Sequence, residues 1–200
     1  MTTDPGSRRR AAARVAAGLA LTVVMAGCAG RSAARVTFHD PNMDFSLIRS
    51  VAVLPFNNLT TAGKASDRVR DVFMTMLQAT GALYVLPPGE VARGISRAGV
   101  ASPAAPTAEE AVRLARNLEA DVVFTGTLLE YGEVRSGSAT ANVISVSLQM
   151  LEGQTGKVVW SASSTEGGVT AGKRLLGGGG EPMSVVTAKA VEKLLDRLFE

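Results

Sequence analysis

Few residues in this chain of 200 are equipped for chemistry, since it holds one cysteine, Cys28, and one histidine, His39. Nucleophilic and metal-assisted catalysis draw on histidine, cysteine or clustered carboxylates held in contact. His39, Asp40 and Asp44 fall close together in "HDPNMD", but their spacing matches no standard metal site and the segment reads as a solvated linker. Glu109 and Glu110 sit at a predicted helix start, where negative charge favours the helix dipole, so capping accounts for them. Gly167, Gly172 and Lys173 match the G-x-x-x-x-G-K of a phosphate-cradling loop. Arg174 stands where that loop needs a hydroxyl for magnesium, and "LLGGGG" follows where a helix should open towards phosphate. The four glycines at 177–180 read as a flexible connection. These residues predict no cofactor, no metal and no enzyme.

Cys28 points to a different chemistry. Arg8, Arg9, Arg10 and Arg14 precede an uncharged run from Val15 to Gly27, 13 residues long. That is shorter than the roughly 18 to 20 residues a spanning helix needs, and it fits an export signal. Met25, Ala26, Gly27 and Cys28 resemble the lipobox of bacterial lipoprotein precursors, with Met25 where leucine is commonest. The resemblance implies a diacylglyceryl group on the Cys28 thiol, cleavage before that residue, and acylation of the freed amine. Two or more acyl chains hold a protein stably at a membrane, because each buried methylene contributes about 0.8 kcal/mol. Ala29, in place of the aspartate that retains such proteins at the inner membrane, implies the outer membrane of a Gram-negative bacterium. The expected division is a signal peptide at 1–27, a lipidated N-terminus and tether at 28–46, and a periplasmic domain at 47–200.

Cleavage changes the meaning of the charge. The whole chain carries 21 basic and 18 acidic side chains, and residues 1–27 hold four of the basic and one of the acidic, which leaves 17 of each. A formally neutral domain gives no reason to expect nucleic acid as a partner. With a single cysteine there is no internal disulfide, so a core must hold the fold, and the remaining 173 residues suffice for one domain.

The elements that would form that domain can be read from periodicity. "IRSVAVLPF" at 48–56 predicts a buried strand stopped by Pro55, with turn chemistry in "NNLTTAGKA". Val69, Val72, Phe73, Met76 and Leu77 follow helical spacing behind Ser66 as N-cap, with Gly81 at the C-terminal end. Residues 82–88 predict a second strand. "GEVARGISRAG" and "TAEEAVRLARNL" predict two helices. The second opens with Thr107 and Glu110 as a capping box and buries Ala111, Leu114, Ala115 and Leu118. Residues 120–134 predict a central strand. Beyond it, Ile144, Val146, Leu148 and Met150 alternate with Ser145, Ser147 and Gln149 in the first arm of a hairpin that returns through Val158, Trp160 and Ala162. "SVVTAKAVEKLLDRLF" predicts a C-terminal helix. The order implies an α/β domain, a mixed β-sheet with helices packed against it in a single compact unit. Val53, Phe73, Leu77, Val123, Leu148, Trp160 and Leu195 are expected to share one core.

"VAVLPFNN", "GALYVLPPGEVARGI", "EADVVFTGTLLEYGEV" and "VSLQMLEGQTGKVVWSAS" together resemble the periplasmic domain of the curli-secretion (CsgG-like) lipoproteins and related envelope lipoproteins. Similar layouts occur in lipoprotein activators of penicillin-binding proteins and in the N-terminal domain of the Tol-system translocation protein. The resemblance covers about residues 48–199. It implies a protein that binds other envelope proteins, or copies of itself, in secretion or envelope assembly, anchored at the periplasmic face of the outer membrane through Cys28. A regulator of cell-wall synthases is the alternative with the same fold and anchor. An envelope hydrolase would need a polar constellation that the sequence does not display. Curli-type pores insert long hairpins into the membrane, and 170–183 is too short and glycine-rich for one, which argues against a pore. Ligands of such sheets lie beyond the carboxyl ends of parallel strands, which places Asn57, Asn58, Pro87 and Pro88 at a candidate partner-binding edge. Ordinary turn chemistry accounts for the same four residues.

Overall fold

The computed structural model describes residues 37–169 and 180–200. Their elements are β1 (Thr37–His39), a 3₁₀ turn (Phe45–Leu47), β2 (Ser50–Val53), β3 (Asn57–Asn58), α1 (Ala65–Ala79), β4 (Tyr84–Val85), α2 (Pro88–Ala98), α3 (Ala108–Leu118), β5 (Val122–Ser136), β6 (Ala139–Glu152), β7 (Val158–Gly167) and α4 (Met183–Phe199). The strands form one mixed sheet in the order β1-β7-β6-β5-β2-β4, with β3 also pairing β5. β2 lies parallel to both β4 and β5, while β5, β6, β7 and β1 are successively antiparallel.

Each element follows from local chemistry. Pro55 cannot donate to a ladder, so the first apolar run breaks after β2 and resumes at β3 beside Thr127 and Leu128 of β5. α1 starts at Ala65, one residue before the expected cap, because Ala65 and Ser66 are both buried; Lys64 takes the cap position. Gly81 and Gly99 adopt positive φ just past α1 and α2. The capping box on α3 forms as read, with Thr107 Oγ1 accepting from the Glu110 amide at 3.2 Å and Glu110 Oε2 accepting from the Thr107 amide at 2.9 Å. β5 and β6 meet across a two-residue turn, Gly137–Ser138, with Gly137 at φ 63°.

The sheet carries two cores, one on each face. On the first face α1 and α4 cover Val51, Val53, Phe124, Leu148, Met150 and Trp160. Phe56, Phe73, Phe124 and Trp160 form a continuous aromatic chain there, with successive centroids 6.2, 5.1 and 5.9 Å apart. Trp160 is fully buried and its indole N–H donates to the Arg197 carbonyl at 3.2 Å. On the second face α2 and α3 cover Ala52, Leu54, Leu86 and Val123. Val123 therefore does not share a core with the other six residues expected beside it. Side chains alternate along a strand, and since Phe124 faces α1 and α4, Val123 must face the opposite layer.

The segment expected to be a tether also contributes to the sheet. Thr37, Phe38 and His39 form β1 and pair with Ala162, Ser161 and Trp160 on the edge of β7. β1 thus begins at Thr37, within the stretch 28–46 read as lipidated N-terminus and tether. Cys28, Met25, Ala26 and Gly27, the loop residues Gly172, Lys173 and Arg174, and the glycines at 177–179 lie outside the described residues.

Candidate functional site

The carboxyl edge of the parallel strands is where Asn57, Asn58, Pro87 and Pro88 belong. β2 ends at Val53 and β4 at Val85, so the chain leaves the sheet at this edge in both places. Pro87 occupies the N-cap of α2 in an extended conformation and Pro88 is the first helical residue, where a missing N–H costs nothing. The Pro87 carbonyl accepts from the Glu90 and Val91 amides, which closes the first turn. Asn58 spends its side chain locally. Its Nδ2 donates to the Ala62 carbonyl at 2.8 Å, and its Oδ1 accepts from the Thr60 amide at 2.9 Å and the Thr60 hydroxyl at 2.8 Å. Asn57 is half-buried in β3 opposite Thr127.

A residue not singled out from sequence also sits at this edge. Arg70, on α1, reaches the end of β2: Nε donates to the Val53 carbonyl at 3.1 Å and to the Leu54 carbonyl at 2.9 Å, and Nη2 donates to the Val53 carbonyl at 2.6 Å. The kink at Pro55 leaves those carbonyls without a strand partner, and the planar guanidinium fork supplies one. Burial lowers its pKa below the usual arginine value, while the charges of Asp71 and Asp67 act in the opposite direction. An arginine within the polar stripe of an amphipathic helix carries no sequence signal that separates this role from a solvated one.

The opposite end of the sheet holds a cleft of about 750 Å³, whose walls include Asp44, Arg116, Glu119, Asp121 and Glu152. Asp121 fastens the start of β2 to the start of β5. Its Oδ2 accepts from the Arg49 amide at 2.8 Å, the Ser50 amide at 2.9 Å and the Ser50 hydroxyl at 3.1 Å. Burial raises its pKa, but these hydrogen bonds and the charge of Arg49 outweigh that effect and hold it below the ordinary aspartate value. Asp44 caps the 3₁₀ turn by accepting from the Ser46 hydroxyl and amide, which lowers its pKa. Asp40 closes a turn onto Asn42, and the His39 ring packs edge-on against Phe45, centroids 5.7 Å apart. "HDPNMD" is thus a folded corner. Glu110 and Glu109 lie in the first turn of α3, where Glu110 completes the capping box. Among the described residues, no three His, Cys, Asp or Glu side chains are grouped so as to hold a metal ion, and no helix is long and apolar enough to cross a membrane.

What remains open lies in the antiparallel half of the sheet. Ser145, Ser147 and Gln149 on β6 align with Thr165, Ser163 and Ser161 on β7, forming a hydroxyl-rich surface. Ser145 bonds Thr165 at 2.9 Å and Ser163 bonds Ser147 at 3.2 Å across it. Beside it, β5 runs past its last bond to the β3 side, from the Leu59 amide to the Leu128 carbonyl, and continues for eight more residues with its outer edge bare among the described residues. Leu59 and Leu129 are 61% and 44% exposed where that edge begins. Among the described residues the arrangement is an exposed strand edge with free backbone donors and acceptors beside rows of hydroxyls, rather than an enclosed pocket.

No family model matches the chain, and no curated protein matches it in sequence. Solved structures do share its fold. The PelC dodecamer from Paraburkholderia phytofirmans superposes with a TM-score of 0.55 at 19% identity, covering 82% of this chain and 94% of that one. Lipoprotein GNA1162 from Neisseria meningitidis superposes at 0.51 and 16% identity, covering 74% and 99%. The LpoB C-terminal domain from Escherichia coli reaches only 0.44 at 18% identity over 58% of this chain and 81% of that one, too remote to carry an argument. The chain is similar in fold to a PelC protein and to a meningococcal lipoprotein.

Proposed function

We infer that this is a non-enzymatic, lipid-anchored envelope lipoprotein that binds protein partners, itself included, in secretion or envelope assembly at the periplasmic face of the outer membrane. The observation that carries the reading is the pairing of a Met-Ala-Gly-Cys lipobox at 25–28 with a domain whose fold is shared with a lipoprotein and with a protein that forms a dodecamer. The polar groups of the domain support it. Arg70, Asp44 and Asp121 are each occupied in holding the chain together, while the exposed surface offers a bare strand edge and rows of hydroxyls. The sequence resemblance to the curli-secretion lipoproteins is the support for a setting in secretion or assembly.

Labelled palmitate tests the anchor. It should enter the wild-type protein, and Cys28→Ser should abolish labelling and release the chain from membranes; a wild-type chain that never takes up palmitate would overturn the assignment. Capture from cross-linked envelopes tests the setting. Secretion or assembly components are expected, and a penicillin-binding synthase in their place would make the chain a regulator of wall synthesis.

A further inference from the structure

β5 changes character at Leu129. Between Val122 and Leu128 it is paired with β6 throughout, and on its other side with β2 at Val122, Val123 and Phe124 and with β3 at Thr127 and Leu128. The register with β6 shifts between Leu128 and Glu130, and from Glu130 to Ser136 the strand is paired on the β6 side alone among the described residues. Glu133, Val134 and Arg135 are all exposed. On β6 they stand opposite Asn142, Ala141 and Thr140, so neither charge meets an opposite charge across that ladder.

We propose that this edge, from Gly132 to Ser136, pairs with the same edge of a second copy of the chain, antiparallel and centred on Val134. Symmetry limits the choices. A two-fold axis through an antiparallel pair runs perpendicular to the sheet and sets one residue opposite itself, every other residue then meeting its mirror position. Centring on Glu133 would oppose two like charges, which is destabilising. Centring on Gly132 would set two glycines face to face and drive Ser136 of the copy against Leu128, where β3 already lies. Centring on Val134 sets valine against valine, puts Glu133 opposite Arg135 twice over, and ends the contact at Gly132 opposite Ser136, clear of β3. Edge strands are usually guarded by charge; here the two charges complement each other under the one symmetry operation available. Five residue pairs make a small interface, so the dimer is weak in dilute solution and gains from the concentration that a common membrane imposes.

The inference rests on the reading of the chain as self-associating, and its test is separable from the anchor, because it is performed on the full chain in detergent. Val134→Cys, on mild oxidation or with a short bis-maleimide, should give a covalent dimer above the background of the wild type, whose only thiol source is Cys28. Gly132→Cys should not, since the two positions 132 would lie about 13 Å apart, four residues along antiparallel strands. Adding Glu133→Lys to Val134→Cys should lower the cross-linked yield by about tenfold, and adding Arg135→Glu as well should restore it. Circular dichroism confirms that each variant is folded. Equal cross-linking at 132 and 134, or a yield indifferent to Glu133→Lys, would overturn the register. A Val134→Cys chain that stays monomeric would overturn the dimer and leave the edge as a guarded one. Failure of palmitate labelling would sink the anchor while leaving the cross-linking result intact.

Discussion

The two faces of the sheet are built to different depths. The α1 and α4 face is backed by β2, β5, β6 and β7 together, and its aromatic chain runs from Phe56 across to Trp160. The α2 and α3 face is backed chiefly by β2 and β5, with aliphatic side chains and alanines, and beyond them β6 and β7 turn serine and threonine outward. β5 shows the consequence within three residues: Val122, Val123 and Phe124 are all fully buried because both faces of the strand are covered at this level. The first face carries the fold, and the second, by ending early, leaves half a sheet uncovered among the described residues.

Cutting into the first face should have the largest effect. Trp160→Ala removes a fully buried ring, its packing on Phe124 and its bond to the Arg197 carbonyl, and should cost about 3 to 5 kcal/mol in denaturant unfolding. An exposed tryptophan emission spectrum in the wild type would contradict that placement. Leu114→Ala in the second core should cost about 2 to 3 kcal/mol, at the low end for such a truncation, because a thin helical layer can settle into the gap. A cost equal to that of Trp160→Ala would break the contrast between the faces.

The α2 and α3 layer also depends on one close approach. A Cβ on Gly94 would fall 2.3 Å from Leu118 Cδ2, so Gly94→Ala should destabilise by about 1 to 2 kcal/mol, and the cost should vanish in a Leu118→Ala background. A double-mutant cycle without coupling would remove that contact from the account.

Asp121 sharpens the comparison from the sheet's end, since it ties β2 to β5 beneath both layers. Its folded pKa is lowered, so its contribution is present above the unfolded aspartate value of about 3.9 and is lost as pH falls through the folded value. Asp121→Asn should lose at most about 1 kcal/mol at neutral pH, given the solvent screening of this exposed site, and the gap to wild type should close in acid. A gap that persists unchanged at low pH would show that charge plays no part. The smallest effect is expected at Ser164, whose buried hydroxyl on the first face has no hydrogen-bond partner among the described residues. Ser164→Ala should be neutral or stabilising by up to about 1 kcal/mol, read from the shift in midpoint.

Much of this was legible in advance. The capping box at Thr107 and Glu110, the buried stripe of α3 and the Ile144 to Met150 alternation all stand as read. The candidate edge was less legible. Asn58 and Pro87–Pro88 fall where strands leave the sheet and serve turn and helix start, while Arg70 and the bare edge of β5 gave no local signal.

The sequence by itself determined the elements and their inward faces, because caps, turns and amphipathic stripes are interactions between residues a few positions apart. Only the tertiary structure decided that Val123 and Phe124 serve different cores, that Thr37–His39 joins the sheet, that Arg70 caps broken strand carbonyls, and that β3 stops at Asn58 and leaves β5 uncovered beyond it among the described residues. Each of these depends on which distant segment arrives as neighbour, and a strand's partner is chosen by the packing of the whole chain rather than by the strand.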